Sequence, residues 1–182
     1  CTLINPREAI PTYIQIDSAN VVSTVPVVHG SVSKKIKDIW VYYNRQLLGA
    51  FPLPAKVPVL ASGKGELELV AGIWDNGLSG TRAKYPFYNI DTFAFDASPA
   101  GIIHHNPQFT YNTTNASYFV EDFEQGNSFE KFSGDTTLVK TNLGAEVFEG
   151  GWSGKIYLHD TISEAQVATV QSFTLPYNRM SY

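Results

Sequence analysis

Two adjacent histidines, His104 and His105, are the side chains best suited to binding a metal ion. Neutral imidazole is a common ligand of Zn²⁺, which takes about four ligands in a tetrahedral shell. Neighbouring residues of an extended chain point to opposite faces, so this pair can reach one metal only if the backbone bends. The other two histidines, His29 and His159, are distant in sequence. We therefore interpret the pair as solvated and predict no metal and no other cofactor.

A second candidate functional site consists of acidic side chains. Asp122 and Glu124 would share one face of the strand that we predict over residues 118–123. Two such carboxylates could supply oxygens to Ca²⁺, which needs about six to eight of them, or form the acid and base of a glycosidase. The sequence shows neither set of partners, and Ser153 lacks the G-x-S-x-G elbow of serine hydrolases. The pattern favours a solvated strand face, and we predict no catalytic residue.

Trp74 and Trp152 offer large flat rings that could stack on sugars. The competing interpretation is that both rings pack in a β-sandwich core, as tryptophan commonly does. Glycan stacking by these two residues stays open as a hypothesis.

The elements that must position these side chains are β-strands. Apolar and polar residues alternate over residues 39–43 and 66–70, which is the period of a strand with two different faces. Gly49 interrupts the strand that follows the first of these, where we expect a bulge, and the prolines of residues 52–58 predict an edge strand. We also predict a strand over residues 21–28.

These patterns predict four segments. Residues 1–11 are polar and form a tether, and about seven short strands in residues 12–96 predict an immunoglobulin-like β-sandwich. Residues 97–117 contain Pro99, Gly101 and Pro107 among polar side chains, which favours a linker. About five further strand patterns in residues 118–182 predict a second all-β domain.

Charge argues against nucleic acid as a partner. The 182 residues carry a net charge of −4, and the one basic cluster is Lys34, Lys35 and Lys37. Phosphate binding requires clustered lysine and arginine, so we predict no nucleic-acid interaction. No apolar run approaches the roughly 20 residues of a membrane-spanning helix.

Cys1 is both the first residue and the only cysteine. This arrangement is typical of a processed bacterial lipoprotein, in which the sulfur is joined to diacylglycerol and the new amine is acylated. Two or three acyl chains together hold a protein on a bilayer stably. We therefore expect a lipid anchor at Cys1, followed by a tethered chain.

Several segments resemble those of a group of cell-envelope lipoproteins of Bacteroidota. They include DIWVYYNRQLLG (residues 38–49), FPLPAKVPVL (51–60), GTRAKYPFY (80–88) and FVEDFE (119–124). The resemblance implies a lipidated Cys1, an N-terminal immunoglobulin-like domain and a C-terminal jelly-roll-like domain that continues beyond the equivalent of Tyr182. It also implies an outer-membrane location, with the cell surface favoured over the periplasmic face.

The same resemblance implies function. Such lipoproteins are similar to non-catalytic accessory subunits of outer-membrane assembly or export complexes, with an integral barrel or other lipoproteins as partners. The alternative is a glycan-binding lipoprotein. Three Asp-Ser/Thr triplets are similar to the O-glycosylation sites of exported proteins in that phylum, and their acceptors are Ser18, Thr136 and Thr161.

The lipid anchor leads to a first prediction. Replacing the sole cysteine (Cys1→Ser) removes the acylated sulfur, so we expect the variant to leave the membrane fraction while its circular dichroism stays that of the wild type. Intact-mass measurement of membrane-extracted wild type should show two or three acyl chains on the first residue. An unmodified Cys1 in membrane-extracted protein would contradict the prediction.

Overall fold

The computed structural model describes residues 8–174. The chain divides into two compact units, Cys1–Phe119 and Val120–Tyr182. Strands are the main regular secondary structure of both units, and the longest helix in the described residues has four residues. No helix in the described part of the chain is long and apolar enough to cross a membrane. The predicted all-β class is confirmed.

Residues 8–119 of the first unit contain ten strands. Their bounds are β1 Thr12–Ile16, β2 Asn20–Val22, β3 Asp38–Tyr43, β4 Gln46–Pro52, β5 Ala55–Val59, β6 Gly63–Trp74, β7 Arg82–Lys84, β8 Asp91–Ala97, β9 Ile102–His104 and β10 Gln108–Thr110. Two short helices interrupt them, α1 over Pro26–His29 and a 3₁₀ turn over Asp75–Gly77.

The largest sheet of the first unit is centred on β6. In this sheet β4, β3 and β6 pair in that order, and β7 and β8 both pair with β6. A smaller sheet has the order β5-β1-β9, and β2 pairs with β10. The tight turn between β3 and β4 places Asn44 and Arg45 at φ 50° and 64°, as a two-residue hairpin requires. The predicted bulge is confirmed, because the β3–β4 register shifts beside Gly49.

The core of the first unit lies between its two larger sheets. Alternate residues of the strands point inward and are fully buried, as period-two patterning requires. They include Ile14 and Val57 from the smaller sheet and Val41, Leu67 and Leu69 from the larger one, all in one packed cluster. The first unit is therefore a β-sandwich, as predicted. The proline-containing strand β5 lies at a sheet edge, which confirms that expectation too.

The predicted linker over residues 97–117 is wrong. Strands β9 and β10 lie within it and pair in parallel with β1 and β2. Phe109 of β10 is 0% exposed and belongs to the core cluster. Both strands have three residues, so their alternation is too short to stand out among prolines and polar residues. The first unit ends at Phe119.

The strand predicted over residues 21–28 is also wrong for most of its length. Strand β2 stops at Val22, and residues 26–29 form the single helical turn α1. Pro26 occupies the start of this turn, where its fixed φ and missing N–H are tolerated.

Four strands lie in the described part of the second unit. They are β11 Phe129–Gly134, β12 Val139–Thr141, β13 Ser153–Lys155 and β14 Ala165–Thr169. They form two antiparallel pairs, β11 with β14 and β12 with β13. The jelly-roll topology itself stays a prediction.

The strand predicted over residues 118–123 is wrong. Phe123 has φ 60°, a left-handed conformation that ends an extended run. The carboxylate of Glu121 accepts hydrogen bonds from the backbone N–H groups of Phe123 and Ser128, both at 2.7 Å. These bonds stabilise a turn in place of a strand.

Burial of Phe109 leads to a second prediction. We expect Phe109→Ala to lower the free energy of unfolding by about 3–5 kcal/mol, since it leaves a cavity in the core. Denaturant unfolding of the full chain measures the change. Phe132→Ala is the matched control, because Phe132 is 75% exposed. Equal and small effects of the two substitutions would show that residues 97–117 do not belong to the packed core.

Candidate functional site

The two candidate metal ligands, His104 and His105, contact different carboxylates. His105 Nε2 lies 2.7 Å from an oxygen of Asp91, and its ring stacks on Phe93 with centroids 4.1 Å apart. His104 Nδ1 lies 3.6 Å from an oxygen of Asp17. Within residues 8–174, no group of three or more His, Cys, Asp or Glu side chains is placed to hold a metal ion. Each histidine therefore lies beside a different carboxylate.

The acidic candidates of the second unit bind backbone groups. Glu124 accepts hydrogen bonds from the N–H groups of Gly151 at 2.7 Å and Trp152 at 3.1 Å. Asp122 accepts one from the N–H of Glu124 at 3.0 Å. Burial acts to raise the pKa of Glu121, but hydrogen bonds from Ser128 and Phe123 outweigh it and hold that pKa below its ordinary value. These carboxylates therefore order the loops of the second unit.

A buried histidine that we did not predict as a site, His29, lies in an aromatic cluster of the first unit. Its ring stacks on Tyr111 with centroids 4.6 Å apart, and Nδ1 lies 3.4 Å from Ser23 Oγ. Ser23 donates its hydroxyl proton to the carbonyl of Gly30 at 2.7 Å. The hydroxyl proton of Ser23 therefore points at a backbone carbonyl and not at the imidazole.

The two tryptophans with a predicted stacking role lie in different units. Trp152, in the second unit, has the ammonium group of Lys140 4.6 Å from its ring centroid. Trp74, at the end of β6 in the first unit, has that of Lys37 at 5.5 Å. The structure therefore gives Trp74 and Trp152 separate surroundings.

Further polar and aromatic side chains lie near Trp74 on the side of the larger sheet that faces away from the core. We call this surface the tryptophan face. It consists of Asp38, Trp40, Gly72, Trp74, Arg82 and Lys84. Arg82 Nη1 lies 2.9 Å from Asp38 Oδ1 in an ion pair whose acid is 1% exposed and whose base is 35% exposed. Our sequence interpretation missed this group, although Asp38 and Trp40 occupy alternate positions on the non-core side of a strand whose Ile39 and Val41 are apolar.

The predicted O-glycosylation acceptors lie outside the named strands. Ser18 and Thr161 are exposed, and Thr136 is half-buried. Thr161 lies in the turn between the bridged residues His159 and Ile162. Cys1 lies outside the described residues.

Comparisons of the chain with protein-family models, with curated proteins and with solved structures give no match.

The carboxylate of Asp135 leads to a third prediction. It accepts hydrogen bonds from the N–H groups of Ser163 at 2.9 Å and Glu164 at 3.3 Å, and these bonds hold its pKa below the ordinary value. The charged form therefore stabilises the second unit above the unfolded-state pKa, and this stabilisation is lost as the pH falls through the lower folded-state pKa.

We expect Asp135→Asn to reduce amide-exchange protection at Ser163 and Glu164 at about pH 7, and to match the wild type at about pH 2. Asp160→Asn, in an exposed turn of the same unit, is the control and should leave protection at these two amides unchanged. A loss of protection that is equal at both pH values would show that the charge of Asp135 is not the cause.

Proposed function

We propose that this chain is a non-catalytic interaction subunit at the bacterial outer membrane, and that its second unit docks onto another protein. The observation that carries the proposal is the exposure of large apolar side chains in that unit. Phe148 is 85% exposed, Phe132 75% and Tyr157 63%. Large apolar side chains that are exposed on a shared surface are typical of an interaction site.

The second unit buries few side chains. Among its described residues, 120–174, Thr141 alone is buried, and its side chain is polar. Its strands form two separate pairs, and a two-stranded ladder is only marginally stable in water. A partner that covers the apolar side chains or extends a ladder would supply the missing burial.

Charge indicates what kind of protein this partner is. Residues 120–174 contain nine aspartates and glutamates and three lysines, a net charge of −6. The whole chain carries −4, so the second unit is more acidic than the chain as a whole. Complementary potentials steer association and orient partners. We therefore propose that the second unit docks onto a partner protein. The partner's contact patch would be apolar or a strand edge, and lysine and arginine would surround it.

The outer-membrane location and the acyl anchor on Cys1 are supported by the resemblance to Bacteroidota lipoproteins. In that setting an integral barrel or a second lipoprotein is the expected partner. The alternative, glycan binding, is supported by a different surface, the tryptophan face of the first unit.

The docking proposal leads to a fourth prediction. With a photo-crosslinking amino acid in place of Phe148 or Phe132 in intact cells, we expect one defined protein adduct. The adduct should map to a segment of the partner flanked by lysine or arginine. The same probe at Val27, which is 76% exposed in the first unit, is the matched control and should give no such adduct.

Charge reversal tests the acidic surface. We expect Glu130→Lys to reduce the yield of the Phe148 adduct, and Glu66→Lys in the first unit to leave it unchanged. Adducts to lipid alone, or to another segment of this same polypeptide, would overturn the proposal. So would an adduct whose yield is indifferent to Glu130→Lys.

A further inference from the structure

The tryptophan face contains all the buried side-chain nitrogen and oxygen atoms that lack a hydrogen bond within residues 8–174. They are the indole nitrogens of Trp40 and Trp74 and both carboxylate oxygens of Asp38, although Asp38 Oδ1 lies 2.9 Å from Arg82 Nη1 in the ion pair described above. A polar group that is buried without a hydrogen bond lowers stability. Buried polar atoms without hydrogen bonds are expected to be few and scattered. Their concentration on one face of one sheet therefore indicates a ligand-binding site.

Strand register explains why these side chains meet. Asp38 lies opposite Gly72, and Gly72 lies opposite Lys84 on the other side of β6. Trp74 lies opposite Arg82 in the next row on the same face. A strand alternates its faces, so these positions share the side of the sheet away from the core.

Gly72 gives the face its shape. A Cβ atom at this position would lie 2.9 Å from the backbone oxygen of Asp38 and 3.0 Å from Cδ1 of Trp40. The missing side chain therefore lets the edge of the Trp40 indole approach the sheet backbone beside Asp38. This close approach brings an aromatic ring, the Asp38 carboxyl group and the Arg82 guanidinium group together.

We propose that the tryptophan face binds a saccharide. An ionised carboxylate only accepts hydrogen bonds, whereas indole and guanidinium N–H groups only donate them. A ligand that satisfies both kinds of group must carry donors and acceptors side by side, and sugar hydroxyls do both. The apolar C–H face of a pyranose also matches the flat indole rings of Trp40 and Trp74. A phosphate or carboxylate ion alone would supply no donor for Asp38.

Arg82 controls access to the buried groups. Its side chain is 35% exposed, so a ligand on this face can contact the guanidinium group without displacing the strands. Lys37 and Lys84 lie 5.5 Å and 5.8 Å from the ring centroids of Trp74 and Trp40, and Arg82 pairs with Asp38. Glu66 and Glu68 lie on the same face farther along β6. A saccharide that carries carboxylates therefore binds more tightly than a neutral one.

The test follows the indole N–H resonances of the full chain by two-dimensional ¹⁵N NMR during titration with oligogalacturonate, and separately with mannohexaose. Substitution by phenylalanine assigns each of the three tryptophan signals. We expect oligogalacturonate to shift the signals of Trp40 and Trp74 while that of Trp152 stays in place. Mannohexaose should shift the same two signals at higher concentration.

Matched variants separate the binding groups from bulk effects. Trp74→Phe keeps a ring and removes the N–H donor, so we expect about fivefold weaker binding, whereas Trp152→Phe should bind as the wild type does. Lys84→Ala should weaken oligogalacturonate binding by about threefold and leave mannohexaose binding unchanged. Lys56→Ala is its control, because Lys56 lies 4.5 Å from the Tyr13 ring centroid on the other sheet.

Three results would overturn the inference. The first is the absence of any shift of the Trp40 and Trp74 signals with both saccharides. The second is an equal shift of all three indole signals, which indicates nonspecific contact. The third is equal weakening by Lys84→Ala and Lys56→Ala, which indicates attraction by overall charge alone.

Each variant is used only if its thermal unfolding midpoint matches that of the wild type. Lys84→Ala, at an exposed position, keeps the test available if Trp74→Phe unfolds.

Discussion

Pairing to the central strand β6 is the interaction on which the first unit depends. β6 runs for 12 residues and pairs with β3 along one side and with both β7 and β8 along the other. A strand that is bonded on both sides cannot slip by one residue without sending its buried leucines to the solvent side. Leu67, Leu69 and Ala71 therefore face the core, and Gly72 and Trp74 alternate onto the tryptophan face.

The same constraint links the core of the first unit to its candidate site. The Asp38–Arg82 pair joins β3 to β7, which lie on either side of β6. The strand register of the sheet therefore sets the geometry of the tryptophan face. A buried ion pair contributes little net stability, because desolvation offsets much of the attraction. The saccharide proposal instead rests on the neighbouring polar atoms that lack hydrogen bonds, the indole nitrogens of Trp40 and Trp74 and Asp38 Oδ2.

The two units use their apolar residues in opposite ways. In the first unit, apolar side chains from both sheets form one buried cluster. In the second unit, large rings such as Phe148 and Phe132 are exposed, and carboxylates order the loops by accepting backbone hydrogen bonds. Glu121, Glu124 and Asp135 all act in this way. A unit organised by such local bonds keeps apolar surface available for a second protein, which supports the proposed docking role.

The sequence by itself determined the all-β class, the hairpin around Asn44 and the edge position of the proline-containing strand β5. Each of these follows from local rules, namely period-two alternation, turn residues with positive φ and the missing amide of proline. It also predicted that His104 and His105 point to opposite faces of an extended segment, because adjacent side chains of a strand diverge.

Only the tertiary structure decided the rest. Strands β9 and β10 have three residues each, and their identity comes from parallel pairing with β1 and β2, nearly 90 residues earlier in the chain. The supposed strand around Phe123 is a turn because Glu121 reaches backbone groups up to seven residues ahead. The tryptophan face unites Asp38 with Arg82 through β6. Contacts between residues far apart in sequence leave no periodic pattern in the chain, so they become visible only when the strands are paired.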